Sequence, residues 1–314
     1  MKTTKTKPRS KPIERIKISV RRPASLRLKR ILVTTDFSEE SKKALPYAAN
    51  FAERFGSEVM LLNVLDPPFR FAGLESVMLL QSGDATMGRL YSGLDALAEK
   101  RFGKAVRAET QVRAGKPYRE IIKAARDSEA GLLVMATHGY SGLKHAFLGS
   151  TTERVVRQAP CPVLAVRGIA GNPTAKLPKI RHVLLATDFS ENSAKAFPWA
   201  LALADAFGAR LTLMHVVERL TRDTVKQLMA EAHTQLNVLA RSLVTGSERA
   251  PHLAVRFGRP FDEITRGARE LDASLVVIAT HGHTGLKRVY LGSVAERVVR
   301  HAHCPVLVVQ SKKT

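Results

Sequence analysis

Arg30-Ile-Leu-Val-Thr-Thr-Asp36-Phe-Ser38-Glu39 is answered later in the chain by Arg181-His-Val-Leu-Leu-Ala-Thr-Asp188-Phe-Ser190-Glu191. Each stretch is a short apolar run that ends in Thr-Asp and is followed by Phe-Ser. The run predicts a buried strand, and the serine two residues after the aspartate predicts a helix N-cap. Other segments recur in the same order. Met135-Ala-Thr-His-Gly139 returns as Ile278-Ala-Thr-His-Gly282, and Leu148-Gly149-Ser150 as Leu291-Gly292-Ser293. Glu153-Arg-Val-Val-Arg157 returns as Glu296-Arg-Val-Val-Arg300, and Cys161-Pro-Val-Leu164 as Cys304-Pro-Val-Leu307. The chain is therefore an internal repeat, about 30–167 and 181–310.

Asp36 and Asp188 are 152 positions apart, whereas Gly149 and Gly292 are 143 apart. The first copy thus carries nine additional residues, which fall within Pro67–Met87. Residues 168–180, rich in Gly, Pro and Ala, read as a linker. Residues 1–29 read as a disordered basic tail, and 311–314 as a short C-terminal tail. Residues 1–30 hold 12 Lys/Arg against the single acid Glu14, which is half of the net charge of +22. Such a segment buries too little apolar surface to offset ordering entropy.

Outside the tail, short apolar runs alternate with longer segments of helical period. In the first copy, strands are expected at Ile31–Thr35, Val59–Val64, Val106–Ala114, Leu132–Thr137 and Val163–Val166. Helices are expected from Ser38 to about Phe55, and over Gly88–Phe102, Pro117–Ser128 and Ser150–Gln158. The second copy reads the same way. Strand–helix alternation with continuously apolar strands predicts α/β architecture: two tandem doubly wound, Rossmann-like domains, each a five-stranded parallel sheet with helices on both faces.

With 314 residues, 45% hydrophobic and 25% charged, the chain has material for two cores. The longest apolar runs are five or six residues, far short of the roughly 20 that a membrane helix needs. Two cysteines make no disulfide framework, and the first 30 residues lack the apolar core of a secretory signal. The expected location is cytoplasmic.

In doubly wound sheets, ligands bind beyond the carboxyl ends of the strands. There lie Thr35, Asp36, Val64, Ala136, Gly139, Gly149 and Ser150, with counterparts Thr187, Asp188, Val216, Ala279, Gly282, Gly292 and Ser293. A glycine loop leading to a Gly-Ser helix start suits an anion, because backbone N–H groups come close and the helix dipole is positive there. Ser150 and Ser293 also match capping boxes with Glu153 and Glu296, which need no ligand. Asp36 and Asp188 suit a ribose or metal, or equally an Asx-type turn. His138 and His281 fit a loop-fixing role better than a phosphate one. Cys161 and Cys304 read as buried structural thiols. His215 is matched by Asn63, which argues against an obligatory catalytic role.

On these residues the chain resembles the universal stress protein family in tandem form. Nucleotide-binding members carry Gly-x2-Gly-x9-Gly-Ser/Thr. Here Ala136-Thr-His-Gly139-x9-Gly149-Ser150 and Ala279-Thr-His-Gly282-x9-Gly292-Ser293 match it, with alanine at the first glycine. The resemblance implies ATP along the strand ends, with Mg or Mn on its phosphates. Asp36 and Val64, or Asp188 and Val216, would flank adenine and ribose. Gly139, Gly149, Ser150, Thr151 and Thr152 would hold phosphates, while the second copy has Val294 and Ala295 in place of the two threonines. The resemblance further implies pairing through the fifth strands, inside one molecule or in a homodimer.

Three functions follow. The first is a nucleotide binder that senses or sequesters ATP in a stress response. The second is a slow ATPase, against which stands the lack of a Gly-x4-Gly-Lys-Ser/Thr loop. The third is nonspecific binding of nucleic acid or an anionic surface through residues 1–30, whose charge density supports salt-sensitive association.

Overall fold

The computed structural model describes residues 26–66, 75–137, 148–167, 179–218, 222–244, 250–280 and 291–310. In the first repeat, β1 (Arg30–Thr34) leads through α1 (Glu39–Lys42) and α2 (Leu45–Phe55) to β2 (Glu58–Leu65). Then come α3 (Glu75–Phe102), β3 (Ala108–Ala114), α4 (Pro117–Asp127), β4 (Leu132–Ala136), α5 (Ser150–Gln158) and β5 (Val163–Val166). The second repeat follows as β6 (His182–Ala186), α6 (Glu191–Ala194), α7 (Phe197–Phe207), β7 (Arg210–Val217) and α8 (Arg222–Val244). It closes with β8 (His252–Phe257), α9 (Pro260–Glu270), β9 (Leu275–Ala279), α10 (Ser293–His301) and β10 (Val306–Val309).

The strands form one ten-stranded sheet in the order β3-β2-β1-β4-β5-β10-β9-β6-β7-β8. Pairing within each repeat is parallel, as expected for strands apolar on both faces. The seam is antiparallel: Val163 faces Val308, Leu164 faces Leu307 and Ala165 faces Val306. All six residues are buried. The fifth strands therefore pair inside one molecule. Because β5 and β10 run in opposite directions, the strand carboxyl ends of the two repeats open on opposite edges of the sheet.

One face of the sheet is covered by α2, α3, α7 and α8, the other by α4, α5, α9 and α10. Each layer continues across the seam. Phe207 of α7 packs 5.2 Å from Phe51 and 6.1 Å from Phe55 of α2, ring centre to ring centre. Gln310 donates to the Val156 carbonyl of α5 at 3.1 Å.

Two expectations change. The helix expected from Ser38 to Phe55 is broken into α1 and α2 at Lys43–Ala44. Pro46 cannot sit in a helix interior, where it lacks the N–H and clashes with the preceding turn, but it fits the first turn of a new helix. Pro198 breaks the second copy in the same place. The helix expected from Gly88 already begins at Glu75, so α3 has 28 residues against 23 in α8. Much of the additional sequence of the first repeat is therefore helix, not loop. The first core also reaches further upstream than Arg30. Leu28 is buried, and its carbonyl accepts from the Ser57 hydroxyl.

The second repeat holds one buried titratable group that the apolar pattern concealed. His182, at the start of β6, lies with Nδ1 2.8 Å from the Leu271 carbonyl and Nε2 2.8 Å from the Thr212 hydroxyl. A carbonyl only accepts, so Nδ1 carries the proton. Burial pushes the imidazole below its ordinary value, outweighing the opposing effect of the Leu271 bond. A base with a depressed folded-state pKa favours folding when neutral. Its contribution is complete above the unfolded value of about 6.5 and declines as pH falls below it. Urea unfolding at pH 7 and pH 5 should therefore show lower stability at pH 5. His182→Asn, which keeps a donor but does not titrate, should shrink that difference. An unchanged pH slope in the variant would exclude His182 as its source.

Candidate functional site

The end of β1 is held by a hydroxyl network. The Thr35 hydroxyl lies 2.9 Å from that of Ser41 and accepts from the Phe37 N–H at 3.0 Å. Ser41 in turn donates to the Ser38 carbonyl. Thr187, Phe189, Ser190 and Ser193 repeat the arrangement. Asn63 donates from Nδ2 to the Thr35 carbonyl at 2.8 Å, and His215 places Nδ1 2.9 Å from the Thr187 carbonyl. Asn and His thus perform the same structural task, which accounts for their interchange. The loop so fixed puts Phe37 and Phe189 in left-handed backbone, each with φ of 64°. For a bulky residue that conformation is strained, and strain of this kind concentrates where a site dictates the backbone.

Asp36 and Asp188 stand at the tip of this loop. Each accepts the N–H of the serine two residues on, Ser38 or Ser190, at 3.0 Å through Oδ1. Both are therefore Asx turns at the carboxyl end of a strand. The Thr35 and Thr187 hydroxyls are buried and bonded within the loop, so these side chains hold the end of the strand. Val64 and Val216 lie half-buried at the ends of β2 and β7, on the face of the α4–α5 layer. Ala136 and Ala279 end β4 and β9, buried. Gly139 and Gly282, with His138 and His281, lie outside the described residues.

At the opposite lip, Gly149 caps α5 and Gly292 caps α10, with ordinary φ of −56° and −59°. The glycine requirement there is one of space, not of backbone angle. The Gly149 N–H donates to the Thr137 carbonyl at 3.0 Å, and a Cβ on Gly149 would lie 3.1 Å from that same oxygen. Ser150 and Ser293 are the first helical residues, exposed, and not N-caps. Neither helix has a side-chain cap. Glu153 and Glu296 turn instead to Arg157 and Arg300, at 2.5 and 2.6 Å. The capping-box reading is thereby overturned: a glycine, which has no side chain to cap with, holds the N-cap position of both helices.

Thr152 is also corrected. Its buried hydroxyl donates to the Ala136 carbonyl at 3.0 Å and ties α5 to β4, so only Thr151 remains as an additional hydroxyl at the mouth. Burial pushes the Cys161 and Cys304 thiols up to about 12, as fits structural cysteines.

A further repeated unit escaped the sequence reading. Gly115 and Gly258 have φ of 144° and 149°, and a Cβ there would strike Glu120 or Glu263. Those glutamates lie 3.9 Å from Arg113 and Arg256, which also bind Asp127 and Glu270. The spacing Arg-x-Gly-x4-Glu, present in both copies, was the available signal. Arg113 lies in register beside Val64, and Arg256 beside Val216.

With this geometry in hand, the chain can be set against known proteins. The universal stress protein family profile matches residues 27–167 and 179–310. The chain belongs to the universal stress protein family. A universal stress protein of Methanocaldococcus jannaschii is 35% identical over 147 residues, which cover 44% of this chain and 82% of that protein. One from Mycolicibacterium smegmatis is 27% identical over 293 residues, covering 90% of this chain and 97% of the relative. The crystal structure of a universal stress protein from Archaeoglobus fulgidus matches 90% of this chain and 98% of its own, with a TM-score of 0.66 at 24% identity. A putative universal stress protein from Pseudomonas aeruginosa matches 91% and 94%, at 0.68 and 22%. These last two likenesses show the tandem fold. Among the described residues no helix is long and apolar enough to cross a membrane.

The two threonines of α5 should separate by experiment. Thr152→Ala, which copies the second repeat, removes one hydrogen bond and should cost about 0.5–1.5 kcal/mol of stability. It should leave anion binding at α5 unchanged, whereas Thr151→Val should weaken it. Thermal unfolding and calorimetric titration of both variants measure this, and reversed effects would restore Thr152 to the site.

Proposed function

We propose that this universal stress protein binds adenine nucleotide at the strand ends of both repeats and, by doing so, senses or sequesters ATP. The observation that carries the reading is the start of α5 and of α10. A glycine N-cap, tightly packed at Gly149 where a Cβ would lie 3.1 Å from the Thr137 carbonyl, followed by an exposed serine at a helix N-terminus, suits a phosphate. Across the mouth, Asp36 or Asp188 would accept from the ribose, and Val64 or Val216 would border the base.

Ser150 and Thr151 would donate to phosphate oxygens in the first repeat, and Ser293 alone would do so in the second. A bound Mg or Mn would offset phosphate charge. Among the described residues no three His, Cys, Asp or Glu side chains cluster as a metal site. Slow hydrolysis of ATP is the second reading. The described strand ends offer Asp36 and Asp188 as acceptors, but each is already bonded within its own turn. That bonding favours binding over turnover. A third activity, salt-sensitive association with nucleic acid, would reside in residues 1–30.

Native mass spectrometry of freshly purified protein should report adenine nucleotide at up to two per chain. The Thr151 hydroxyl, which Val294 lacks, should by itself make the first site bind about two- to tenfold tighter than the second. Gly149→Val and Gly292→Val, titrated separately with ATP, test this. Tighter residual binding in the Gly149 variant would reverse the order, and no binding in the wild-type chain would sink the reading.

A further inference from the structure

Tyr118, in the first turn of α4, is surrounded by cations. Arg119 Nε donates to its hydroxyl at 2.9 Å, with the guanidinium carbon 5.8 Å from the ring centre. Arg154 of α5 stacks on the same ring at 4.9 Å. Lys116, the N-cap of α4, contributes a third positive charge. Lys116, Arg119 and Arg154 are exposed. The Arg119 hydrogen bond, with the charges of Arg119, Arg154 and Lys116, holds the phenol below its ordinary range.

Like charges gathered this closely repel unless a carboxylate intervenes. The neighbouring carboxylates are engaged elsewhere: Glu120 lies beside Arg113, and Glu153 binds Arg157. Among the described residues, no carboxylate pairs with Lys116, Arg119 or Arg154.

The second repeat supplies an internal control. The equivalent positions are Arg259, Phe261, Asp262 and Arg297. Arg297 stacks on Phe261 at 4.8 Å, so the scaffold is the same. A carboxylate, however, replaces Arg119, and the ring has no hydroxyl. Three cations and a phenol in one copy face two cations and an acid in the other.

The cluster and the proposed phosphate cradle share α5. Arg154 is four residues beyond Ser150, so the two lie on one face of α5, about 6 Å apart along its axis. Helical side chains lean toward the N-terminus, the end of α5 that Gly149 caps. Guanidinium groups match phosphate oxygens in geometry and do not lose their charge.

We propose that Lys116, Tyr118, Arg119 and Arg154 extend the first repeat's site into a polyphosphate-binding surface that holds the distal phosphates of a nucleotide and selects triphosphate over monophosphate. This rests on the nucleotide reading above.

The test uses the full chain and titrates ATP, AMP and inorganic tripolyphosphate by calorimetry. The variants are Arg154→Gln and the double change Tyr118→Phe with Arg119→Asp, which installs residues that the second repeat's helix already accommodates. Tripolyphosphate should bind the wild type and weaken about ten- to a hundredfold in either variant. First-site ATP affinity should fall by a similar factor, while AMP changes less than twofold. The reciprocal pair Phe261→Tyr with Asp262→Arg should add tripolyphosphate binding to the second repeat. Equal losses for ATP and AMP, unchanged tripolyphosphate binding in the variants, or none in the wild type would overturn the proposal. Tripolyphosphate binding lost in the variants of a chain that takes no adenine nucleotide would keep the anion surface and discard the nucleotide reading.

Discussion

The antiparallel pairing of β5 with β10 is the constraint on which the remaining architecture depends. Each repeat alone would end in a four-residue strand of Val, Leu and Ala with one edge unpaired. Such an edge carries open backbone donors and acceptors beside apolar side chains, a template for aggregation. Pairing the two edges removes the problem for both repeats at once. It also buries Leu164 and Leu307 completely, each a contribution of about 1.5–3 kcal/mol in area terms. The direction of the pairing also sets the geometry of the strand ends: antiparallel fifth strands turn the carboxyl ends of the two repeats' strands to opposite edges of the sheet.

Within each repeat, the site is held by groups that never face it. Thr35, Ser41 and Asn63 anchor the end of β1, and through them the loop bearing Asp36 is fixed before any ligand arrives. Thr152 and the Gly149 N–H tie α5 to the end of β4. These bonds fix the end of β1 and the start of α5 relative to the sheet, and groups held in place before binding cost less to order.

The fold was legible because its determinants are local and repeated. Five apolar runs per copy, spaced by helical periods, fix a parallel sheet, whereas the seam at Val163–Val166 was expected only from the family resemblance. The site was legible only in part. Thr152 and Thr35 look like ligand hydroxyls in a linear sequence, yet both serve buried carbonyls or hydroxyls that only the packed strands bring within reach. Ser150 satisfies the capping-box pattern, but Gly149 takes the cap position because its N–H is bonded to Thr137, which moves Ser150 into the helix. The Arg113–Glu120–Asp127 network joins a strand to two turns of a helix, and no periodicity announces it. His182 was hidden because it sits in an otherwise aliphatic strand of the second copy, opposite a hydroxyl that only the β6–β7 register supplies.

Duplication lets one scaffold carry two specificities, and the differences between copies lie where the scaffold tolerates them. Phe189 is buried against the His215 ring at 4.3 Å, whereas Phe37, backed by Asn63, stays half-exposed. Phe37 borders an open notch of about 300 Å³ with Arg89, Leu90 and Gly93 of α3. Near α4, Tyr118 and Arg119 replace Phe261 and Asp262 without altering the helix that carries them. Both changes enlarge or charge the surroundings of the first mouth, and neither touches the seam or the hydroxyl networks. The elements that determine folding are thus the same in both copies, while the residues around the mouths are free to diverge. A single polypeptide can in this way present two differently charged strand-end surfaces on one scaffold, at opposite edges of the sheet.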